Sequence, residues 1–293
     1  MTDFNEKVAA FADGDGRMMS SIHRGDAINY PENSIEAVIS AIKMGIDNIE
    51  IDLRMTKDGV VVLMHDETLE DTTDWSEKAG KNGLPASNKV SDWTLEELRQ
   101  LRLVDSDKVQ TDYLIPTLKE ALQVCNERTT LRLDKIEVWD WDTDIYPLIK
   151  ETGAWRTCIL HQQISFAKRK EILETIKADS GQDAYMFYSF KHDDREKWET
   201  TLNSLTEQGY LPVVHYASFK ISIASRYVEE SAPYLNQIKD KVRIYVDANV
   251  LSGGTEKAKT WDYLYESGID FILVDIGLGL QQYIAENFEP TEY

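Results

Sequence analysis

A histidine and an arginine stand side by side where the first β-branched run of the chain ends. His23 closes the run 18–23, and Arg24 follows it directly. The imidazole carries a proton near neutral pH and the guanidinium binds oxyanions, so the pair suits the chemistry of a phosphate ester. The alternative is a histidine packed in the core beside an arginine that is paired with a buried carboxylate.

Two acidic residues lie at strand spacing in the next run. Glu50 and Asp52 are two residues apart, so they point to the same face of a strand. Buried acids need a cation, and two kinds are open: a basic side chain such as Arg24 or Lys135, or a hard metal ion such as Mg²⁺ or Ca²⁺. Asp134, at the end of a later run, would complete a three-acid site.

A second histidine ends an apolar run that follows the acidic pair. His65 closes the run 59–65, which comes too soon after the preceding strand for a parallel crossover. The two runs are therefore predicted to form a hairpin. Asp58 and Gly59 are the preferred pair for a two-residue type I′ turn, and a turn centred on them would place Asp52 opposite His65.

The elements that must position these residues repeat along the chain. Short β-branched runs alternate with amphipathic helical stretches between residues 20 and 285, which is typical of a parallel α/β protein. Eight such runs predict a (β/α)8 TIM barrel, with a doubly wound open sheet as the alternative. The predicted strands are residues 18–23, 48–53, 130–135, 157–162, 185–190, 212–216, 242–248 and 271–275.

One segment interrupts this alternation. Between about residues 66 and 115 the chain is richer in Asp, Gly, Ser and Lys, and a single helix is predicted there, from Thr94 to Leu103. We interpret the segment as a small insertion over the barrel mouth after strand 2. The whole chain, 1–293, is then predicted to be one domain.

The composition excludes several classes of protein. The 293 residues are 42% hydrophobic, which excludes a disordered or fibrous chain. The formal net charge of −20 opposes binding to nucleic acid or to an anionic membrane. Cys125 and Cys158 form no metal-binding or disulfide framework. The sequence shows no signal peptide or apolar membrane span, so we expect a soluble cytoplasmic protein.

The residues with chemical potential belong to a series of short motifs. The motifs are His23-Arg24-Gly25, Pro31-Glu32-Asn33-Ser34, Glu50-x-Asp52, Thr56-Lys57-Asp58-Gly59, His65-Asp66, Thr94-x-x-Glu97-Leu98 and Ile115-Pro116-Thr117-Leu118-x-Glu120. Their order and spacing resemble those of the glycerophosphodiester phosphodiesterase family over roughly residues 20–125. The resemblance implies a distorted (β/α)8 barrel and divalent-metal-dependent hydrolysis of glycerol phosphodiesters to glycerol 3-phosphate and an alcohol.

The resemblance also implies roles for single residues. Glu50 and Asp52 match metal ligands of the family. His23 and His65 match its general acid/base pair, and Arg24 matches a residue that contacts the phosphate.

The third barrel strand departs from the family pattern. The family's third metal ligand is usually a Glu followed two residues later by a Lys, whereas here Asp134 and Lys135 are neighbours. Adjacent strand residues face opposite ways, so Lys135 reaches the site only if the strand ends or bulges there, and Arg132 shares the face of Asp134 instead. We take Asp134 as the third metal ligand and Lys135 as a second phosphate-binding cation.

Other residues have two interpretations each. Trp139 and Trp141 follow the third barrel strand and either stack on a substrate head group or cover the barrel rim. His161 and His215 lie near strand ends and are either walls of the pocket or catalysts.

Three functions therefore stay open. The chain is a glycerophosphodiester phosphodiesterase, a phospholipase-type phosphodiesterase acting on a lysolipid or phosphoinositide, or a barrel that binds phosphodiesters without turnover. In each case the expected partner is a small-molecule phosphodiester, without nucleic acid or stable membrane insertion. The sequence leaves the oligomeric state open.

Overall fold

Eight parallel strands form a closed barrel. β1 pairs in parallel with both β2 and β9, so the sheet closes on itself, and the barrel prediction is confirmed. The short strand β3 is added in antiparallel fashion to β2. The strands are β1 (Met19–His23), β2 (Asn48–Met55), β3 (Val61–Leu63), β4 (Thr130–Asp134), β5 (Cys158–His161), β6 (Tyr185–Phe190), β7 (Tyr216–Phe219), β8 (Arg243–Asp247) and β9 (Phe271–Val274).

The structure is a computed structural model and describes most of the chain. The described residues are 4–13, 18–135, 140–161, 164–190, 192–209, 216–219, 225–247, 261–262, 264–266, 268–275 and 277–287. The sixth predicted strand, residues 212–216, corresponds to β7. Its described part begins at Tyr216, and His215 lies outside the described residues.

Helices surround the barrel, and several of those described begin at a polar cap. In α2, for example, the Ser34 hydroxyl accepts a hydrogen bond from the Ala37 N–H, and the face with Val38 and Ala41 is buried. In the described part of the chain, no helix has both the length and the apolar character needed to cross a bilayer. The helices are α1 (Phe4–Asp13), α2 (Ile35–Lys43), α3 (Trp75–Lys78), α4 (Leu95–Leu98), α5 (Leu118–Cys125), α6 (Tyr146–Thr152), α7 (Phe166–Ser180), α8 (Trp198–Glu207), α9 (Ser225–Ile238) and α10 (Gly277–Asn287).

The first helix packs against the amino ends of the strands. Lys7 is only 2% exposed and donates through Nζ to the carbonyls of Gly45 at 3.2 Å and Ile46 at 2.8 Å. Phe4 and Val8 of α1 pack in one apolar cluster with residues of the barrel strands. The strand residues of this cluster are Met19, Ile159, Tyr185, Tyr245, Phe271 and Leu273. One end of the barrel is thus covered, and the carboxyl ends of the strands are left for the site.

The predicted hairpin forms, but the predicted register was wrong: the two strands pair one residue away from it. β2 and β3 pair so that Leu53 lies opposite Leu63. The same register places Met64, rather than His65, opposite Asp52, and the Met64 N–H donates to the Asp52 carbonyl at 3.0 Å. His65 therefore lies one residue beyond the position predicted for it.

The turn of this hairpin explains the shift. A type I′ turn needs positive φ at both central residues, but only Gly59, and not Asp58, has it here, at +79°. The Thr56 hydroxyl donates to the Asp58 carboxylate at 2.6 Å and accepts from the Val60 N–H at 2.9 Å. These bonds close a three-residue loop between Thr56 and Val60, one residue wider than predicted.

The insertion has its own apolar cluster and a shorter helix than predicted. The helix expected from Thr94 to Leu103 is only α4, which the Thr94 and Glu97 side chains begin with reciprocal caps. It ends at Leu98, and Leu103 pairs instead with Thr73 in an isolated bridge. The cluster, which includes two residues of the β3 segment, consists of Val62, Met64, Leu69, Leu84, Val90, Trp93, Leu98, Leu101, Leu103 and Ile115.

Candidate active site

Three carboxylates meet at the carboxyl ends of neighbouring strands. Glu50, Asp52 and Asp134 each offer an oxygen within 4.8 Å of the others. The barrel register causes this gathering, because Asp52 of β2 lies directly beside Asp134 of β4. Glu50 and Asp52 are each 2% exposed, whereas Asp134 is half-buried. The acidic cluster predicted from the sequence is therefore present.

Cations and an amide surround Asp52. Its Oδ2 lies 3.2 Å from Arg24 Nε, and its Oδ1 lies 3.7 Å from Lys135 Nζ. Asn33 donates through Nδ2 to Oδ2 at 3.1 Å and accepts at Oδ1 from the Asp52 N–H at 3.1 Å. Both basic partners considered in the sequence analysis thus contact this acid.

Glu50 is less well compensated. Its Oε2 accepts the Arg24 backbone N–H at 3.2 Å. Burial, and next the charge of Asp52, raise the pKa of Glu50 to about 8, although His23 and Arg132 oppose the rise. Three carboxylate oxygens so close together, one of them with an affinity for protons at neutral pH, form a donor set that fits a hard divalent cation.

Arg132 lies beside this cluster within the barrel. It is 2% exposed, its guanidinium carbon lies 4.8 Å from the centre of the Tyr245 ring, and its Nη2 lies 3.8 Å from Asp134 Oδ2. The ion pairs at Asp52 and Asp134 reduce the repulsion among the three acids. The three carboxylate oxygens still lie close to one another, which is the arrangement in which carboxylates bind a metal ion.

His23 ends β1 beside Glu50. Its Nε2 lies 4.0 Å from Glu50 Oε2, and its Nδ1 bonds Asp275 Oδ1 at 3.1 Å. Burial lowers the pKa of His23, but the hydrogen bond to Asp275 and the charge of Glu50 outweigh burial, so the pKa stands above its usual value. A carboxylate on Nδ1 orients the ring and leaves Nε2 for chemistry.

Arg24 is placed by an unusual stretch of backbone. Arg24 and Gly25 both have positive φ, at +55° and +78°. A Cβ on Gly25 would lie 2.9 Å from the backbone carbonyl carbon of Ala37, so only glycine fits where β1 approaches α2. The Arg24 Nη1 donates to Glu32 Oε2 at 2.8 Å. The guanidinium is thus held between Glu32 and Asp52.

Lys135 and His65 are brought together after their strands end. β4 ends at Asp134 and Lys135 has a φ of +60°, so the condition for Lys135 to reach the site is met. Its Nζ donates to the His65 carbonyl at 2.9 Å. The His65 Nδ1 bonds Asp66 Oδ1 at 2.7 Å, so both histidines have a carboxylate on the same ring nitrogen.

Sequence reasoning missed the contacts of two residues. Asn33 stood in a recognised motif but was not linked to Asp52. Arg54, which donates through Nη2 to the His65 carbonyl at 2.5 Å, was not considered at all. Its position two residues after Asp52, on the same face of β2, was the available signal.

The other aromatic and histidine candidates add little to the site. Trp141 is 5% exposed and packs on Tyr146 with ring centres 5.8 Å apart, so stacking on a substrate was the wrong interpretation for it. Trp139 lies outside the described residues, as His215 does. His161 ends β5, and its catalytic role stays untested.

The chain is similar to a known protein family and to individual members of it. A model described as the glycerophosphoryl diester phosphodiesterase family matches residues 23–275. A glycerophosphodiester phosphodiesterase of Caldanaerobacter subterraneus is 38% identical over 110 residues, 37% of this chain and 41% of the relative. Human glycerophosphodiester phosphodiesterase 1 is 34% identical over 122 residues, 40% of this chain and 34% of the relative. The chain thus spans less than half the length of these curated relatives.

Solved structures cover nearly the whole chain. The crystal structure of a glycerophosphoryl diester phosphodiesterase from Parabacteroides distasonis covers 100% of this chain and 94% of its own, with a TM-score of 0.72 and 25% identity. An Oleispira antarctica phosphodiesterase, in complex with the product sn-glycerol-3-phosphate, covers 92% of this chain and 97% of its own, with a TM-score of 0.62 and 21% identity. The second likeness shows the fold alone.

Proposed function

Because the chain belongs to the glycerophosphoryl diester phosphodiesterase family, whose model matches residues 23–275, we propose that it hydrolyses glycerophosphodiesters to glycerol 3-phosphate and an alcohol. The observation that carries this proposal is the approach of three carboxylate oxygens to within 4.8 Å of one another, next to His23 and Arg24. The expected substrate is a small molecule, and a cytoplasmic location stays a prediction.

Glu50, Asp52 and Asp134 are the residues that would hold a divalent metal ion, Mg²⁺ or Ca²⁺. Both ions prefer carboxylate oxygens, which this cluster supplies. When bound, the ion would neutralise the phosphate and polarise its ester. The raised pKa of Glu50, caused first by burial and next by the charge of Asp52, supports the proposal, since both disfavour a carboxylate that an added cation would stabilise.

Arg24 and Lys135 are proposed to bind the phosphate. Each carries a fixed positive charge within 4 Å of Asp52, at 3.2 Å from Nε and 3.7 Å from Nζ. A chain of net charge −20 repels an anionic substrate at long range, so these local cations are needed for binding.

His23 and His65 are proposed as the general acid/base pair. Each has its Nδ1 on a carboxylate, Asp275 or Asp66, which leaves Nε2 to exchange a proton with the substrate. One histidine would take the proton of the attacking hydroxyl and the other would protonate the leaving alkoxide. The attacking hydroxyl belongs either to water or to the glycerol moiety itself, and in the second case a cyclic phosphate would form first and water would then open it to glycerol 3-phosphate.

Release of glycerol 3-phosphate from glycerophosphocholine, with and without Mg²⁺ or Ca²⁺, tests this function. Metal-dependent release supports it. Turnover of a lysolipid in place of glycerophosphocholine would favour the phospholipase-type alternative. Tight binding of glycerophosphocholine without turnover at any metal concentration would favour the binding protein.

A further inference from the structure

Two cations from neighbouring strands donate to one backbone carbonyl. The His65 carbonyl accepts from Arg54 Nη2 at 2.5 Å and from Lys135 Nζ at 2.9 Å. Arg54 belongs to β2 and Lys135 directly follows β4. The His65 peptide is therefore attached to two adjacent strands of the barrel.

This attachment matters because of where the hairpin ends. β3 ends at Leu63, and the last backbone bond of the ribbon runs from the Met64 N–H to the Asp52 carbonyl. His65 lies beyond that bond, so the strand ladder alone does not set the orientation of its peptide plane. A rotation of that plane would carry the imidazole away from the substrate.

We propose that Arg54 is a positioning residue for His65, which acts by fixing the His65 carbonyl rather than by touching the substrate. Charge-assisted hydrogen bonds are the stronger kind, and a guanidinium on a β-strand is a rigid donor. The inference rests on the proposed function, in which His65 exchanges a proton. Lys135 contributes to the same anchor but also approaches Asp52, so Arg54 is the residue whose effect can be separated.

The first experiment compares Arg54→Met with Arg102→Met. Arg102 is a matched control because its Nη1 also donates to backbone carbonyls, those of Arg99 at 3.1 Å and Leu101 at 2.9 Å, but within the insertion. With glycerophosphocholine, Arg54→Met should lower kcat about 10- to 100-fold and leave KM nearly unchanged. Arg54→Lys should recover part of the loss, and Arg102→Met should match the wild-type enzyme.

A double-mutant cycle separates positioning from a general structural role. If Arg54 acts through His65, then Arg54→Met should cause no further loss of kcat in the His65→Ala enzyme. The same factor of loss in both backgrounds, or a wild-type kcat for Arg54→Met, would overturn the inference.

The cycle also distinguishes the two proposals from each other. If the wild-type enzyme releases no glycerol 3-phosphate, the proposed function is overturned, and the positioning role with it. A wild-type enzyme whose activity depends on His65 but not on Arg54 would overturn the positioning role alone. If Arg54→Met does not fold, Arg54→Lys is carried through the same cycle, with the melting temperature as the check of folding.

Discussion

Asn33 and Asp52 hold each other through two hydrogen bonds. The Asn33 amide donates to Asp52 Oδ2, and its oxygen accepts the Asp52 backbone N–H, both at 3.1 Å. Asn33 adopts a φ of +57°, a conformation that asparagine tolerates better than most residues. One side chain thus fixes both the backbone and the carboxylate of a proposed metal ligand.

Asn33→Gly should weaken metal binding, by about 10- to 100-fold as is typical when a partner of a metal ligand is removed. Glycine accepts the positive φ, so the change removes the two hydrogen bonds without adding backbone strain. Calorimetric titration with Mg²⁺ or Ca²⁺ measures the effect. Asn82→Gly is the control, since Asn82 is exposed and has a φ of +52°. Equal affinities for the two variants would contradict the expectation.

His23→Ala and His65→Ala should each lower kcat by about 10²-fold or more, the usual contribution of a positioned proton carrier. Neither residue belongs to the acidic cluster, so both variants should still show a metal-dependent rise in melting temperature. Steady-state kinetics with glycerophosphocholine, a substrate with a poor leaving group, gives the measurement. Near-normal turnover by either variant would remove that histidine from the acid/base pair.

Chelation of divalent metal should abolish hydrolysis, and added Mg²⁺ or Ca²⁺ should restore it. The bound ion should also raise the melting temperature, because a ligand at 100 times its Kd stabilises the folded state by about 2.7 kcal/mol. Activity assays and thermal melts in chelator, before and after metal is restored, check both effects. Full activity in chelator would mean that the ion pairs of Asp52 with Arg24 and Lys135 suffice for the reaction.

Asp52→Ala should cost more metal affinity than Asp134→Ala. The Asp52 side chain is 2% exposed and balances Arg24 and Lys135, so its loss leaves two cations facing the incoming metal ion. The Asp134 side chain is 26% exposed and shorter than the family's usual Glu, so we expect it to be the weaker ligand of a bound ion. Titration calorimetry compares the two, with Asp71→Ala, a change at a 77% exposed acid, as the control for net charge. The reverse order of affinities would refute this ranking.

Gly25→Ala should destabilise the fold far more than Gly59→Ala. Both residues have nearly the same φ, +78° and +79°, so both variants pay about 1–2 kcal/mol for the left-handed conformation. Only at Gly25 does a Cβ also meet Ala37 at 2.9 Å, which adds about 1–3 kcal/mol of overpacking. Denaturant unfolding of the two variants measures the difference. Equal losses of stability in the two variants would show that α2 can shift away from the added Gly25 methyl group without a measurable cost.

The barrel and its acidic cluster could be predicted because both depend on regular strand geometry. Alternating runs predicted the strands, and the spacing of Glu50 and Asp52 placed two carboxylates on one face. Side chains that follow the last residue of a strand are not placed by this strand geometry. Lys135 reaches Asp52 only through a φ of +60°, and no periodic pattern predicts a single left-handed residue.

The hairpin register shows the same limit on a smaller scale. Asp58 and Gly59 correctly indicated a turn, but its length depended on the Thr56 hydroxyl, which bonds both Asp58 and Val60. The hydrogen bonds of a single side chain therefore account for the shift of His65 by one residue from its predicted position opposite Asp52. Arg54 could have been predicted to lie near the site, because it shares a face of β2 with Asp52. Its contact with the His65 carbonyl could not have been predicted.

The pairing of β1 with β9 delays completion of the site during protein synthesis. Met19 pairs with Phe271, so the first strand keeps an open edge until residue 271 has been made. At about 5–20 residues per second, that interval lasts roughly 10–50 s. His23 meets Asp275 only at its end, so a nascent chain holds the acidic pair of β2 well before it holds a fully oriented histidine.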